Sequence, residues 1–141
     1  MITQLGNVTV VISDIARSRK FFRDKLGLRL SFYDKKHEWL CFDAGGVAFS
    51  LKPPWNKQSK KLVGVKTGVS FYVDDIHETY KALKKKGVKF TLKPRKESWG
   101  GILANFEDPD GNKFFLLQMP ADMGRAVGNQ TYEAKGTFSV E

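Results

Sequence analysis

The chain has 141 residues, a formal net charge of +9, eleven Phe and a single Cys, and 41% of its residues are hydrophobic. This composition can bury the core of one compact domain, and no apolar run approaches the roughly 18 residues that a membrane-spanning helix needs. Residues 1–14 lack the features of a signal peptide, and the single Cys41 has no internal partner for a disulfide. We therefore expect a cytoplasmic protein that does not associate with a membrane.

The first half of the chain predicts one helix and four strands. Ser13 and Asp14 offer N-cap side chains for a helix that ends at Gly27. Apolar residues recur along this segment at helical spacing, with charged residues on the opposite side. Short apolar and β-branched runs predict strands at 7–12, 28–33, 38–43 and 47–52. The predicted order is βαβββ.

A second half with the same order follows a Lys-rich linker. Asp74 and Asp75 are placed to cap a helix that Gly87 ends. The sequence Asp-Pro-Asp-Gly-Asn at 108–112 is dense in turn-forming residues and predicts a hairpin. Strands are predicted at 69–73, 88–92, 102–106 and 114–118. The halves align on one another, so we interpret the chain as an internal repeat of one βαβββ unit.

The chain resembles the vicinal oxygen chelate superfamily, which includes glyoxalase I, bleomycin-resistance proteins and extradiol dioxygenases. The similarity covers residues 5–118 and is carried by the segments Val8–Leu28, Ser70–Val88 and Trp99–Asn112. It implies an α+β fold in which two tandem βαβββ modules form curved sheets around a cleft. It also implies a homodimer that shares its clefts. The resulting boundaries are a single domain at 1–118, with module 1 at 5–52, a linker at 53–66 and module 2 at 67–118, and a C-terminal tail at 119–141.

Metal-dependent members of the superfamily bind a divalent ion through four cleft-facing side chains, which are typically His or Glu. Strand alternation puts these positions on Asn7, Ser50, Gly68 and Phe115. Gly and Phe have no side-chain donor, so the four residues are not a plausible set of metal ligands. We therefore predict no metal site, no cofactor and no catalytic residues, and we lean against an enzyme. The alternative is an enzyme, either a metal-dependent lyase, isomerase or dioxygenase whose ion lies elsewhere, or one that works without metal.

Strand alternation and the superfamily's cleft also predict which residues bind a ligand. Aromatic rings stack on planar molecules, and the ammonium groups of Lys52 and Lys113 could hold a negative group. The alternative is that the aromatic residues only pack in the core or in the dimer interface. The predicted ligand-binding residues are Asn7, Thr9, Trp39, Ser50, Lys52, Tyr72, Trp99, Lys113 and Phe115. They predict a protein that binds a small aromatic or anionic organic molecule, as in sequestration or resistance.

The remaining features are weaker guides to function. The basic residues lack any zinc-finger, helix-turn-helix or RNA-binding motif, so we interpret most of them as a solvated face and do not favour a nucleic-acid partner. Besides the binding protein and the enzyme, a third hypothesis is a regulatory module that uses the basic surface. We interpret Cys41 as a buried core residue rather than a reactive thiol. The tail is either disordered or anchored by Tyr132 and Phe138.

Overall fold

The computed structural model describes residues 1–121, and these fall into two units. Unit 1 consists of Met1–Val65 together with Pro109–Asn112, and unit 2 consists of Lys66–Asp108 and, among the described residues, 113–121. The predictions for Tyr132 and Phe138 lie outside the described residues. A search of the described helices finds none that is long and apolar enough to cross a membrane.

Unit 1 is a four-stranded sheet with one helical segment. Its strand order is β1-β4-β3-β2, in which β1 and β4 are parallel and the other pairs are antiparallel. The elements are β1 (Asn7–Val11), α1 (Ile15–Lys20) with a following π-helical turn (Phe21–Lys25), β2 (Arg29–Asp34), β3 (Trp39–Asp43), β4 (Ala48–Lys52) and a 3-10 turn (Ser59–Leu62).

Unit 2 repeats this topology, with the strand order β5-β8-β7-β6 and a parallel β5-β8 pair. The elements are β5 (Lys66–Tyr72), α2 (Ile76–Lys85), β6 (Lys89–Lys96), β7 (Ile102–Glu107) and β8 (Lys113–Gln118). The predicted α+β fold, the repeated βαβββ order and the β7-β8 hairpin are therefore confirmed. Two strands extend three or more residues beyond their predicted bounds, since β5 begins at Lys66 and β6 continues to Lys96.

The helical segment of unit 1 changes its winding partway along. Asp14 caps its start by accepting a hydrogen bond from the Arg17 amide at 3.0 Å. Near its end, the amide of Leu26 donates to the carbonyl of Phe21, five residues back, at 3.1 Å. This π-helical bonding adds one residue to the turn, and the consecutive Phe21 and Phe22 are both buried. The sequence predicted a uniform helix here.

The helix of unit 2 is bonded to the sheet at its N-terminus and packed on it along one side. Asp75 accepts a hydrogen bond from the Glu78 amide at 3.1 Å, as predicted for this cap. The amide of Ile76 donates to Oε1 of Gln118 at the end of β8, at 2.9 Å. Further along, the ring of Tyr80 packs edge-on against Phe90 with 4.7 Å between centroids. These contacts fix α2 on one face of its sheet.

The amide of Asn112 is the most deeply buried polar group in the turn that joins β7 and β8. Its Oδ1 accepts hydrogen bonds from the amides of Gly64 and Val65, at 2.8 and 3.1 Å. Its Nδ2 donates to the carbonyl of Val11 at 3.1 Å. The residue is fully buried, so its polar side chain is bonded to the protein rather than to water. They tie the turn to β1 and to the end of the Lys-rich segment.

Asp110 attaches the same turn to the start of α1. Its carboxylate accepts a hydrogen bond from the Ser13 amide at 2.9 Å and another from the Ser13 hydroxyl. It also forms an ion pair with Arg17 at 2.7 Å, although Arg17 itself is half exposed. The turn is therefore bonded to the rest of unit 1 through both Asn112 and Asp110.

We expect Asn112→Asp to lower the free energy of unfolding by about 3 kcal/mol at pH 7, because an ionised carboxylate oxygen would face the Val11 carbonyl. Burial and that carbonyl both raise the pKa of the new carboxyl. The loss therefore grows as pH rises through this raised pKa, and it shrinks below it, where the protonated acid can donate to Val11. Urea unfolding at pH 7 and pH 4 measures both effects.

The matched control is Asn7→Asp. Asn7 is exposed, and its Oδ1 accepts from the Thr9 hydroxyl at 2.9 Å, a bond that an aspartate can also accept. We expect a change within about 0.5 kcal/mol. Equal losses of unfolding free energy in the two variants would show that the hydrogen bonds of the buried Asn112 stabilise the fold no more than those of an exposed asparagine.

Candidate functional site

Each sheet has one face packed against its helix and a second face turned away from it, which we call the open face. On the helix side of unit 1, Phe22 packs against Phe49 with 5.2 Å between ring centroids. Because successive residues of a strand point to opposite sides, the neighbours of such core residues form the open face. In both units the residues of this face lie in rows that run across the four strands.

The middle row of the open face in unit 1 is polar and internally bonded. The strand register aligns Thr9, Ser50, Cys41 and Phe32 across β1, β4, β3 and β2. Ser50 and Cys41 are buried, and their Oγ and Sγ atoms are 3.0 Å apart, a hydrogen-bond distance for sulfur. Thr9 donates to Asn7. The polar side chains of this row therefore have partners within the row or beside it.

An aromatic pair and a lysine complete the open face of unit 1. Phe32 and Trp39 lie edge to face, with 5.0 Å between ring centroids, and Phe32 is 44% exposed. The ammonium group of Lys52 donates to the carbonyl of His37 at 2.7 Å. His37 itself is exposed and bonded to Asp34, as expected for a surface histidine.

The middle row of unit 2 differs in chemistry. The register aligns Ser70, Phe115, Asn105 and Leu92 across β5, β8, β7 and β6. Phe115 is half-buried and Ser70 is exposed. Oδ1 of Asn105 is buried and forms no hydrogen bond to any residue of the described chain. This row therefore presents an aromatic ring flanked by two polar side chains.

The row on one side of Phe115 is apolar, and the row on its other side is charged. Tyr72 and Leu117 are paired in the first of these, and Tyr72 is 43% exposed. Tyr72 also borders a cavity of about 240 Å³ at the end of β8. In the second, Glu107 forms ion pairs with Lys113 at 3.1 Å and Lys89 at 3.4 Å. The hydrogen bond from Lys113 lowers the pKa of Glu107, and the charges of both lysines act in the same direction.

The two open faces are built on the same backbone plan. The register slips by one residue between Leu30 and Phe32 in unit 1, and between Phe90 and Leu92 in unit 2. The Lys89–Glu107 ion pair has its counterpart in unit 1, where Arg29 and Asp43 are 3.7 Å apart. The duplication read from the sequence thus extends to bulges and charge pairs.

A model of the Glyoxalase/Bleomycin resistance protein/Dioxygenase superfamily matches residues 4–116. The chain belongs to this superfamily. A crystal structure of a superfamily member from Sphaerobacter thermophilus is 32% identical, covers 84% of this chain and 98% of its own, and superposes with a TM-score of 0.75.

Two further proteins that are similar to this chain have names that indicate different roles. The lactoylglutathione lyase of Haemophilus influenzae is 28% identical over 124 residues, which cover 82% of this chain and 92% of the enzyme. TnmS3, an antibiotic binding protein from Streptomyces sp. CB03234, is 25% identical, covers 83% of this chain and 96% of its own, and has a TM-score of 0.72. The proteins similar to this chain therefore include both a lyase and an antibiotic binding protein.

The metal that the superfamily implies does not fit the residues present. The four positions carry the amide of Asn7, the hydroxyl of Ser50, Gly68 with no side chain, and the ring of Phe115. Ser50 is already bonded to Cys41, and a phenyl ring supplies no donor. Within residues 1–121, no three His, Cys, Asp or Glu side chains come together in a group that could hold a metal ion.

The structure divides the predicted ligand-binding residues between the two open faces. Those in unit 1 are Asn7, Thr9, Trp39, Ser50 and Lys52, and those in unit 2 are Tyr72, Lys113 and Phe115. Lys52 and Lys113 both have partners, the His37 carbonyl and Glu107. Trp99 lies in the loop after β6, where its indole covers Gly101 so closely that no side chain fits there.

Asn105 and Phe32 were missed by the sequence analysis. Strand alternation alone places Asn105 on the open face, because it lies between the buried Ala104 and Phe106, so a signal for it existed. Phe32 had no such signal, since the bulge that precedes it changes the side of the sheet on which β2 residues lie.

We expect the stabilising effect of Glu107 to depend on pH. Because its folded pKa is lowered, its contribution is present above the ordinary glutamate pKa and is lost as pH falls through the lowered value. Glu107→Gln should cost about 1 kcal/mol at pH 7 and much less at pH 3. Paired urea titrations of both proteins measure this difference, and a cost that is constant with pH would rule the ion pairs out as its source.

Proposed function

We propose that this chain binds a small planar organic molecule, without a metal ion, on the open face of unit 2. The observation that carries the proposal is the ring of Phe115. It lies half-buried in the middle strand row, between Ser70 and Asn105, at a position where metal-dependent relatives need a ligating side chain. A ring at this position supports stacking of a flat ligand and removes a donor that metal-dependent chemistry requires.

The surroundings of Phe115 support this use. Tyr72 and Leu117 extend the apolar surface on one side, with Tyr72 substantially exposed. The Glu107–Lys113 pair closes the other side with its charges neutralised. Ligand pockets commonly combine such apolar walls with a few polar groups that set orientation. The similarity to TnmS3, an antibiotic binding protein, agrees with a role in sequestration or resistance.

The proposal includes a homodimer and a cytoplasmic location, both carried over from the sequence-based expectations. It requires neither a membrane nor a nucleic acid. The net charge of +9 disfavours strongly cationic drugs as the ligand, because a basic surface repels them. Neutral planar compounds are therefore the first candidates, with anionic ones next.

Phe115→Ala should weaken binding of planar aromatic compounds by about tenfold or more, because the stacking surface is lost. A panel of neutral and anionic bicyclic and tricyclic aromatic compounds, screened by thermal shift and measured by calorimetry, provides the ligands. Leu62→Ala is the control, since it removes an exposed apolar side chain from the 3-10 turn of unit 1 rather than from a strand row, and it should change affinity less than twofold. Unaltered affinity in Phe115→Ala, or no binding by any compound, would refute the proposal.

Removal of metal should leave the binding unchanged. We expect the purified protein to contain no stoichiometric metal, and we expect EDTA dialysis to alter neither the Tm nor the ligand affinity, because the four superfamily positions provide no set of ligands. Addition of Ni, Zn, Mn or Fe should likewise fail to stabilise the fold. One ion per chain, with an accompanying rise in Tm, would instead favour the alternative of a metal-dependent enzyme of the superfamily.

A further inference from the structure

Asn105 carries a hydrogen-bond acceptor that the described chain leaves unused. Its Oδ1 is shielded from water, yet none of residues 1–121 donates to it. A buried acceptor without a donor is uncommon in folded proteins, because it has lost its bonds to water and gained nothing in return. Such a group is best explained by a partner that none of the described residues supplies.

The location of Asn105 relates this acceptor to the proposed stacking surface. Asn105 and Phe115 are direct cross-strand partners on the same face, a relationship that brings their Cβ atoms to within about 5.5 Å of each other. A flat molecule lying on the ring of Phe115 therefore has one edge beside the amide of Asn105. Its opposite edge lies beside the exposed Ser70, whose hydroxyl can donate or accept.

The amide can reach such a ligand without moving the backbone. Asn105 as a residue is only partly buried, so the outer part of its side chain borders the open face. The last torsion of an asparagine side chain is soft, and a partial rotation about it turns the oxygen toward the open face. A ligand donor would then bond to an oxygen that has no competing partner.

The equivalent position of unit 1 does not offer the same group. There Cys41 takes the place of Asn105 in the middle row, and its thiol is bonded to Ser50. The duplicated scaffold thus has a satisfied pair in one unit and an unsatisfied acceptor in the other. This contrast places selective recognition in unit 2.

We infer that Asn105 determines ligand specificity by selecting planar molecules with an N–H or O–H donor on the edge that faces it. The inference rests on the proposed function and adds the ligand class, which is a neutral heteroaromatic lactam, amine or phenol. A charged group is not needed on this ligand, since Glu107 and Lys113 already neutralise each other beside the site.

The test uses matched compounds that differ only in the donor, namely 2-quinolinone with N-methyl-2-quinolinone and indole with 1-methylindole. Wild-type protein should bind each N–H compound about tenfold more tightly than its N-methyl counterpart, the value of one hydrogen bond to a desolvated acceptor. In Asn105→Leu, which keeps the size but removes the acceptor, the two members of each pair should bind within about twofold of each other. Asn105→Asp keeps the acceptor and should keep the preference.

Each remaining outcome has a distinct meaning. A preference that persists in Asn105→Leu shows that the methyl group is excluded by its size, which overturns the inference. Equal binding of the two members by wild-type protein, or no binding of either pair, also overturns it. If the affinity of the planar compounds that do bind is still lowered by Phe115→Ala, the proposed function survives. If Phe115→Ala binds them as tightly as wild-type protein, the proposed function itself fails.

Discussion

The buried amide of Asn112 is the constraint on which the organisation of unit 1 depends. It joins the turn between β7 and β8 to segments 48 and 101 residues away in sequence. Its three hydrogen bonds are made without water, so each partner must be in place for the turn to be buried at all. This explains why Pro109–Asn112 is part of unit 1 although the strands on both sides of it belong to unit 2.

Duplication produced two open faces with one backbone plan and different chemistry. The bulge in the edge strand and the ion pair beside it recur in both units. The middle rows have diverged, however. The polar groups of unit 1 bond to one another, while those of unit 2 include an acceptor, next to an aromatic ring, that no described residue uses. A scaffold that is stable in both copies leaves the side chains of one copy available for recognition.

The net positive charge of the chain is large, but the lysines of the two open faces contribute little of it, because they already have partners. Lys113 is engaged by Glu107, and Lys52 donates to a main-chain carbonyl. An anionic ligand would have to compete with these partners, and it would gain little from charges that are already screened. Under the proposed function, recognition on the open face of unit 2 therefore depends on ring stacking and on hydrogen bonding by an amide.

The sequence by itself determined the order of elements, the caps at Asp14 and Asp75, the hairpin turn and the repeat, because these follow from local periodicity and turn chemistry. Strand alternation also placed Phe115 on the face of β8 that is turned away from the helix. The tertiary structure alone decided which polar groups have partners, as with Asn112, Asp110 and Asn105, since those partners are remote in sequence. It also decided the π-helical turn at Phe21–Lys25 and the bulges that shift β2 and β6, because a single inserted residue reverses the side on which later residues lie.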